Sequence, residues 1–194
     1  MSVQAEATDE AFKRDLVTLI PHLRAFARSL CGDPTAADDL AQDAMLKAWD
    51  ARASFQMGTN MKAWTFMILR NQFYSEKRRS WRQSQLDQDV AERTLLAVDD
   101  PEAPIALDEL RLALRSLPDE QREALVLVGA GGFAYEEAAE ICNCAVGTVK
   151  SRVSRARRAV QAALTSGGYE RDGAAAGDAM GSILSDAERL SGAR

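Results

Sequence analysis

The sequence predicts an all-α protein of two small helical domains joined by a flexible acidic linker. Three observations predict it. Apolar residues recur at intervals of three and four over most of the chain, the spacing of helices that bury one face. No stretch alternates apolar and polar residues with period two for long enough to make a credible sheet. Helical periodicity lapses over residues 83–104, which are rich in Gln and Asp and end in DDPEAP, so the pattern divides there. With 194 residues, 46% of them hydrophobic, the chain can build two cores.

Residues 1–9 are polar and read as a disordered N-terminus. A first domain follows over 10–82. Phe12, Leu16, Leu19, Ile20, Leu23, Phe26, Ala27 and Leu30 recur at helical spacing, so a core-facing helix or helix pair runs from Glu10, interrupted at Pro21. Gly32 and Pro34 stop it, and Asp33 or Thr35 can cap the next helix, 36–49. That helix buries Leu40, Ala41, Ala44, Trp49 and either Met45 or Leu46, and turns Asp38, Asp39, Gln42, Asp43 and Lys47 to water. A loop at 53–59 has Gly58 as its permissive turn residue and Thr59 as the expected N-cap of a long helix, 60–79. Met61, Trp64, Ile68 and Leu69 make the apolar stripe of that helix. Its far end turns sharply basic, with Phe73, Tyr74 and Trp81 interleaved among Arg70, Lys77, Arg78, Arg79 and Arg82.

After the linker at 83–104, a second domain is expected over 105–165. Leu107, Leu110, Leu114 and Leu117 return to helical spacing, and Pro118 ends that helix. Asp119 is the expected cap of the next, which sends Leu125, Val126 and Val128 inward. The glycine-rich segment 129–133 then leads into YEEAAEICNCAVGTVKSRVSRARRAV, residues 135–160. Here a short helix reaches about Cys142, Asn143 makes a turn, and a second helix begins near residues 146–148. Val149, Val153, Ala156 and Val160 fall on one face of it, and the opposite arc carries Lys150, Ser151, Ser154, Arg155 and Arg158, flanked by Arg152 and Arg157 without an acid. This is the pattern of a helix-turn-helix whose second helix fits a major groove. Residues 166–194 are low in complexity and read as a flexible tail, its last apolar residues being Ile183, Leu184, Ala187 and Leu190.

The formal net charge of −5 hides strong segregation, since basic clusters at 62–82 and 150–158 are separated by the acidic linker. Asp33, Asp38, Asp39 and Asp43 form an earlier acidic stretch, so different surfaces suit different partners. Three cysteines (Cys31, Cys142, Cys144) and one histidine (His22) do not make an ordinary four-ligand zinc site, and reduced thiols in a cytosol are expected. Neither a signal peptide nor a window of membrane-spanning length is found. One histidine, no glycine-rich phosphate loop and no paired nucleophile and base speak against an enzyme; no catalytic residue, metal or cofactor is expected.

The ordered motifs resemble the extracytoplasmic-function sigma factors of bacterial RNA polymerase. DDLAQDAMLKAW (38–49) is similar to the family's helix that binds core polymerase, and NMKAWTFMILRNQFYSEKRR (60–79) to its promoter −10 helix. LRSLPDEQREALVL and AVGTVKSRVSRARRAV are similar to its −35-reading domain. FQMGTNMKAWTF and GFAYEEAAEICNCAVGTVKSR look like the general-stress-response subgroup of alphaproteobacteria. The resemblance covers about residues 10–165 and implies a dissociable polymerase subunit that directs initiation at a set of promoters. It implies core polymerase, promoter DNA and a NepR-like anti-sigma factor as partners, no membrane, and a cytoplasmic location.

Carried over by position, the resemblance places core-polymerase contacts at Asp38, Asp39, Leu40, Gln42, Asp43 and Met45. Contacts to the −10 element fall on Phe55, Asn60, Met61, Lys62, Arg70, Asn71, Lys77, Arg78 and Arg79. Those to the −35 element fall on Thr148, Lys150, Ser151, Arg152, Ser154, Arg155 and Arg157, with Lys150, Ser151, Ser154 and Arg155 facing base edges and Thr148, Arg152 and Arg157 facing phosphate. Ser154 is shorter than the bulky side chain some members carry there. Two other readings compete: a helix-turn-helix regulator that is not a polymerase subunit, and a sigma mimic that binds an anti-sigma factor without DNA. A receiver domain would need strands, and a mimic would lose the basic residues that both elements here retain. The acidic linker is also expected to repel DNA from the free protein.

Overall fold

Eight α-helices and one 3-10 turn carry residues 3–86 and 105–166, which are the residues that the structure, a computed structural model, describes; no strand occurs among them. The chain divides into two compact units, Met1–Ala97 and Val98–Arg194. Residues 87–104, most of the expected acidic linker, and the expected tail from 167 onward lie outside the described residues.

In the first unit α1 spans Val3–Thr18, α2 Ile20–Cys31, α3 Pro34–Asp50 and α4 Met61–Leu86, with the 3-10 turn at Arg52–Ser54. The expected disorder of residues 1–9 gives way to helix from Val3, because Gln4, Ala5, Glu6 and Ala7 are good helix formers that extend the packed helix behind them. Pro21 sits in the first turn of α2, where a missing N–H is harmless, so the break falls just before it and the helix pair is realised. Gly32, at φ 74°, closes α2, and Asp33 caps α3 by accepting from the Ala36 N–H at 2.7 Å.

Along α3, Ala37, Ala41, Ala44 and Ala48 are all buried. Their small side chains let α2 and α4 approach closely, and Phe26 of α2 stacks on Phe66 of α4 with centroids 4.8 Å apart. Leu23, Leu30, Leu40 and Leu69 complete this core. Each such side chain contributes roughly 1.5–3 kcal/mol by leaving water. A second cluster forms where α1 meets α3 and α4: Phe12, Leu16, Ala48 and Met61 are buried, with Met45, Trp49, Phe55, Trp64 and Ile68 packed against them. The α4 cap is Asn60, not Thr59: Asn60 Oδ1 accepts from the Ala63 N–H at 3.0 Å, while the Thr59 hydroxyl donates back to the Gln56 carbonyl within the loop. At its other end α4 runs past residue 82 to Leu86, seven residues beyond its expected end at residue 79.

In the second unit α5 spans Ile105–Arg115, α6 Asp119–Gly129, α7 Tyr135–Cys142 and α8 Val146–Ser166. Asp119 is not the cap it was expected to be. Pro118 occupies that position, and Asp119 instead pairs at 2.7 Å with Arg122, whose guanidinium also reaches the Arg115 and Leu117 carbonyls and ties the α5–α6 turn. The inward residues of α6 are Leu125 and the fully buried Leu127, whereas Val126 and Val128 are only half-buried, so the phase differs from the expected one. Val149, Val153, Ala156 and Val160 are all buried on α8.

The turn into α7 depends on two glycines. A Cβ on Gly131 would sit 2.6 Å from the Leu127 carbonyl oxygen and 2.9 Å from the Phe133 ring, and Gly132 has φ 68°. Gly131→Ala is therefore expected to destabilise the second unit by about 1–3 kcal/mol through overpacking against a backbone atom that cannot swing away. Thermal unfolding followed by circular dichroism checks this; an unchanged midpoint would show that the turn relaxes freely.

Candidate nucleic-acid interface

Helix α8 is set up by its neighbours. In α7, the Glu137 carboxylate accepts from the Ala134 N–H at 2.9 Å, fixing the helix start. Asn143 takes the left-handed conformation at φ 49°, which Asn tolerates better than most residues, and the Cys144 N–H closes back onto the Ala139 carbonyl at 3.0 Å. These bonds aim α8. Its buried face fixes the rotation, leaving Lys150, Ser154, Arg155, Arg157 and Arg158 exposed and Thr148 and Ser151 partly so. The Ser151 hydroxyl donates to the Thr148 carbonyl at 2.9 Å and accepts from Arg155 Nη2 at 3.3 Å. The Lys150 ammonium lies 5.7 Å from the Tyr135 ring centroid, so an aromatic on α7 orients it.

The first unit presents two further faces. On α3, Asp39, Gln42, Asp43 and Leu46 are exposed, and at about 100° per residue they share one side of the helix. Leu46 is 62% exposed. Gln72 Nε2 on α4 donates to Asp43 at 2.9 Å and to Glu76 at 2.9 Å, so the acidic face is tied to the basic helix. On α4, Arg70 lies 4.7 Å from the Tyr74 ring centroid and Lys77 5.9 Å from that of Phe73; Asn71, Lys77, Arg78 and Arg79 are exposed. The loop ahead of α4 exposes residues 56–60, with Met57 at its tip 46% exposed and Gly58 at φ 90°.

Comparison with known proteins gives the family of both units. The sigma-70 region 2 family matches residues 16–83, and the sigma-70 region 4 family matches residues 107–160. The chain is 47% identical over 161 residues to the ECF RNA polymerase sigma factor EcfG of Rhodopseudomonas palustris strain TIE-1, covering 83% of this chain and 89% of that protein. The chain belongs to the ECF family of RNA polymerase sigma factors. It is 31% identical over 144 residues to the RNA polymerase sigma-H factor of Pseudomonas aeruginosa, covering 68% and 75% of the two chains. Its fold superposes on the sigma factor RpoE of Bartonella quintana, solved in complex with the anti-sigma factor NepR, with a TM-score of 0.74 and 46% identity over 81% of this chain and 99% of that one. It is thus an EcfG-like sigma factor.

Within this sigma factor, several side chains carried over from the family stand elsewhere than on a contact surface. Leu40 is 3% exposed and Met61 is 9% exposed, so both are core, and Met45 is packed against the α1 cluster. The apolar residue that α3 offers outward is Leu46, three and four residues from Asp43 and Gln42; that spacing was the signal, but Met45 and Leu46 are neighbours in sequence and only packing tells them apart. Asp38 is half-buried and pairs with Arg24 at 3.4 Å and Arg28 at 3.9 Å, joining α3 to α2. Phe55 stands edge-on to Phe12 at 5.7 Å and packs on Trp64 at 5.0 Å, which anchors the loop and leaves Met57 as its exposed apolar group. Asn60 remains exposed but its side-chain oxygen is engaged as the cap, and Lys62 is half-buried.

Arg152 is the largest departure on α8. Its Nη2 pairs with Glu120 on α6 at 2.9 Å, its Nη1 lies 3.7 Å from Cys144 Sγ, and its side chain is 18% exposed. It clamps the helix to its support instead of reaching for phosphate. All three cysteines are thiols, and among the described residues no cluster of His, Cys, Asp or Glu could hold a metal ion. Among the described residues no helix is long and apolar enough to cross a membrane.

His22 lies close enough to Lys62 to feel its charge. Burial, and secondarily that ammonium, hold its imidazole below the usual 6.5. The unfolded chain therefore takes up this proton first as pH falls, so stability drops from about 6.5 down to the folded value and then levels off. Replacing His22 with Gln is expected to flatten this part of the pH dependence, measured as unfolding midpoints between about pH 7.5 and 5.5.

Proposed function

We propose that this sigma factor joins core RNA polymerase through Asp39, Gln42, Asp43 and Leu46 of α3, a surface of charge and one apolar residue suited to a basic partner. The −10 element is engaged by the loop at 56–60 and by Arg70, Asn71, Lys77, Arg78 and Arg79 of α4. The −35 element is read by Lys150, Ser151, Ser154 and Arg155 of α8, with Thr148 and Arg157 on phosphate. Residues 10–82 and 105–165 thereby act as two DNA-reading domains, and the chain supplies no catalytic group, the chemistry belonging to the polymerase. It works in the cytoplasm, where polymerase and promoters are, on general stress-response genes. A NepR-like anti-sigma factor holds it inactive; what supports this is its 46% identity to a sigma factor that was solved with NepR bound.

The observation that carries the reading is the exposed arc of α8, on which Lys150, Ser154, Arg155, Arg157 and Arg158 stand without an acidic residue while Val149, Val153, Ala156 and Val160 of the opposite face are buried. Each good bidentate contact of such a helix to a base edge is worth about 1–3 kcal/mol of discrimination. Run-off transcription with purified core polymerase tests it. Addition of the protein should produce promoter-dependent starts and comigration with core. No new start and no comigration would end the sigma reading in favour of a regulator or a mimic.

A further inference from the structure

The far end of α4 goes beyond what the −10 contacts require. The helix is packed as far as Gln72, 5% exposed, but every residue from 75 to 82 is exposed, so about 12 Å of helix stands clear of the three-helix core that holds its first half. One face of α4 carries Arg70, Tyr74, Lys77 and Trp81 in line, with Phe73 and Arg78 on its flanks. Trp81 is 65% exposed, the most exposed large hydrophobic residue among those described. The acid in this stretch, Glu76, accepts from Gln72 and lies on the opposite side of the helix. Cations and rings therefore alternate on a surface free of negative charge, and the ring nearest the end has its faces in water.

An exposed indole between cations fits a nucleic-acid strand whose bases are unpaired. The cations meet phosphates and the ring offers a stacking surface that a base in a duplex, already stacked on its neighbours, has no use for. A single strand answers both features at once, since each unpaired base comes with a phosphate on either side. We propose that Trp81 is a base-stacking residue that captures one unpaired base of the opened promoter, adjoining the contacts made by Arg70 to Arg79. This inference rests on the sigma reading above and extends it to a residue outside the stretch that resembled the −10 helix.

The test uses holoenzyme reconstituted from core polymerase and the full chain, bound to a premelted promoter template carrying single abasic sites at successive positions. Wild-type holoenzyme should lose on the order of tenfold in affinity at one position. Trp81→Ala should show that same loss on the intact template and no further loss when the base is removed, while Trp81→Phe keeps part of the affinity. Binding to the closed duplex and comigration with core should be unchanged. Equal sensitivity of wild type and Trp81→Ala at every abasic position would overturn the proposal, as would weakened anti-sigma binding with DNA affinity intact, which would give the stripe to a protein. If the unsubstituted chain forms no promoter-directed holoenzyme, the sigma reading falls first and this inference with it.

Discussion

Phe26→Ala is expected to unfold the first unit selectively, at a cost of about 3–5 kcal/mol. Phe26 is 2% exposed and stacked on Phe66, so its removal leaves a cavity at the junction of α2 and α4 that the surrounding alanines of α3 are too small to fill. A loss of that size is a large share of the roughly 5–15 kcal/mol that holds a typical domain folded. The consequence is separable from the second unit. Trp49, Trp64 and Trp81 all lie in the first unit and are the chain's three tryptophans, so tryptophan fluorescence follows that unit while far-ultraviolet circular dichroism follows both. In denaturant, the fluorescence transition should move to lower concentration while a second dichroism transition stays in place. If the two transitions move together, the units are coupled and the assignment of separate cores is wrong.

The second large effect is a contrast between two arginines three residues apart on α8. Arg155→Ala is expected to lower promoter discrimination by about 1–3 kcal/mol with the unfolding midpoint unchanged, because its guanidinium is exposed and donates to the Ser151 hydroxyl on the same face. Arg152→Ala should do the reverse. It removes the pair to Glu120, and since Glu120 is largely exposed the loss is only about 1 kcal/mol of stability, discounted for solvent. Salt dependence separates the roles. A phosphate contact contributes about 0.9 to the slope of log affinity against log salt, so Arg157→Ala should reduce that slope and Arg152→Ala should not. A slope reduced equally by both would return Arg152 to the DNA.

Both contrasts show how far residue pattern reaches. The period of apolar residues placed Val149, Val153, Ala156 and Val160 on the inner face of α8, and by elimination the basic arc outside, because rotation of a helix about its axis is fixed by which side must leave water. Charge sign was likewise legible, since a run of cations without acids reads the same in sequence as on a surface. Individual partners were not. Arg152 lies on the edge of the basic arc, and nothing local to it announces Glu120, 32 residues earlier, as its partner. Met45 and Leu46 are neighbours on an acidic helix, and only the packing of Met45 against the α1 cluster makes one inward and the other surface.

Trp81 shows the same division from the other side. The sequence by itself determined the helical class, the two cores, the segregation of charge and the helix-turn-helix with its turn at Asn143, since each follows from local spacing and local backbone chemistry. Tertiary structure alone decided which members of those helices remain available: it tied Arg152 to Glu120, gave Asn60 the capping role, and left Leu46, Met57 and Trp81 in water. The reason is physical. Periodicity specifies a face to within about one residue in each turn, whereas exposure of a single side chain depends on where a neighbouring helix ends, and that is set by contacts between residues far apart in the chain.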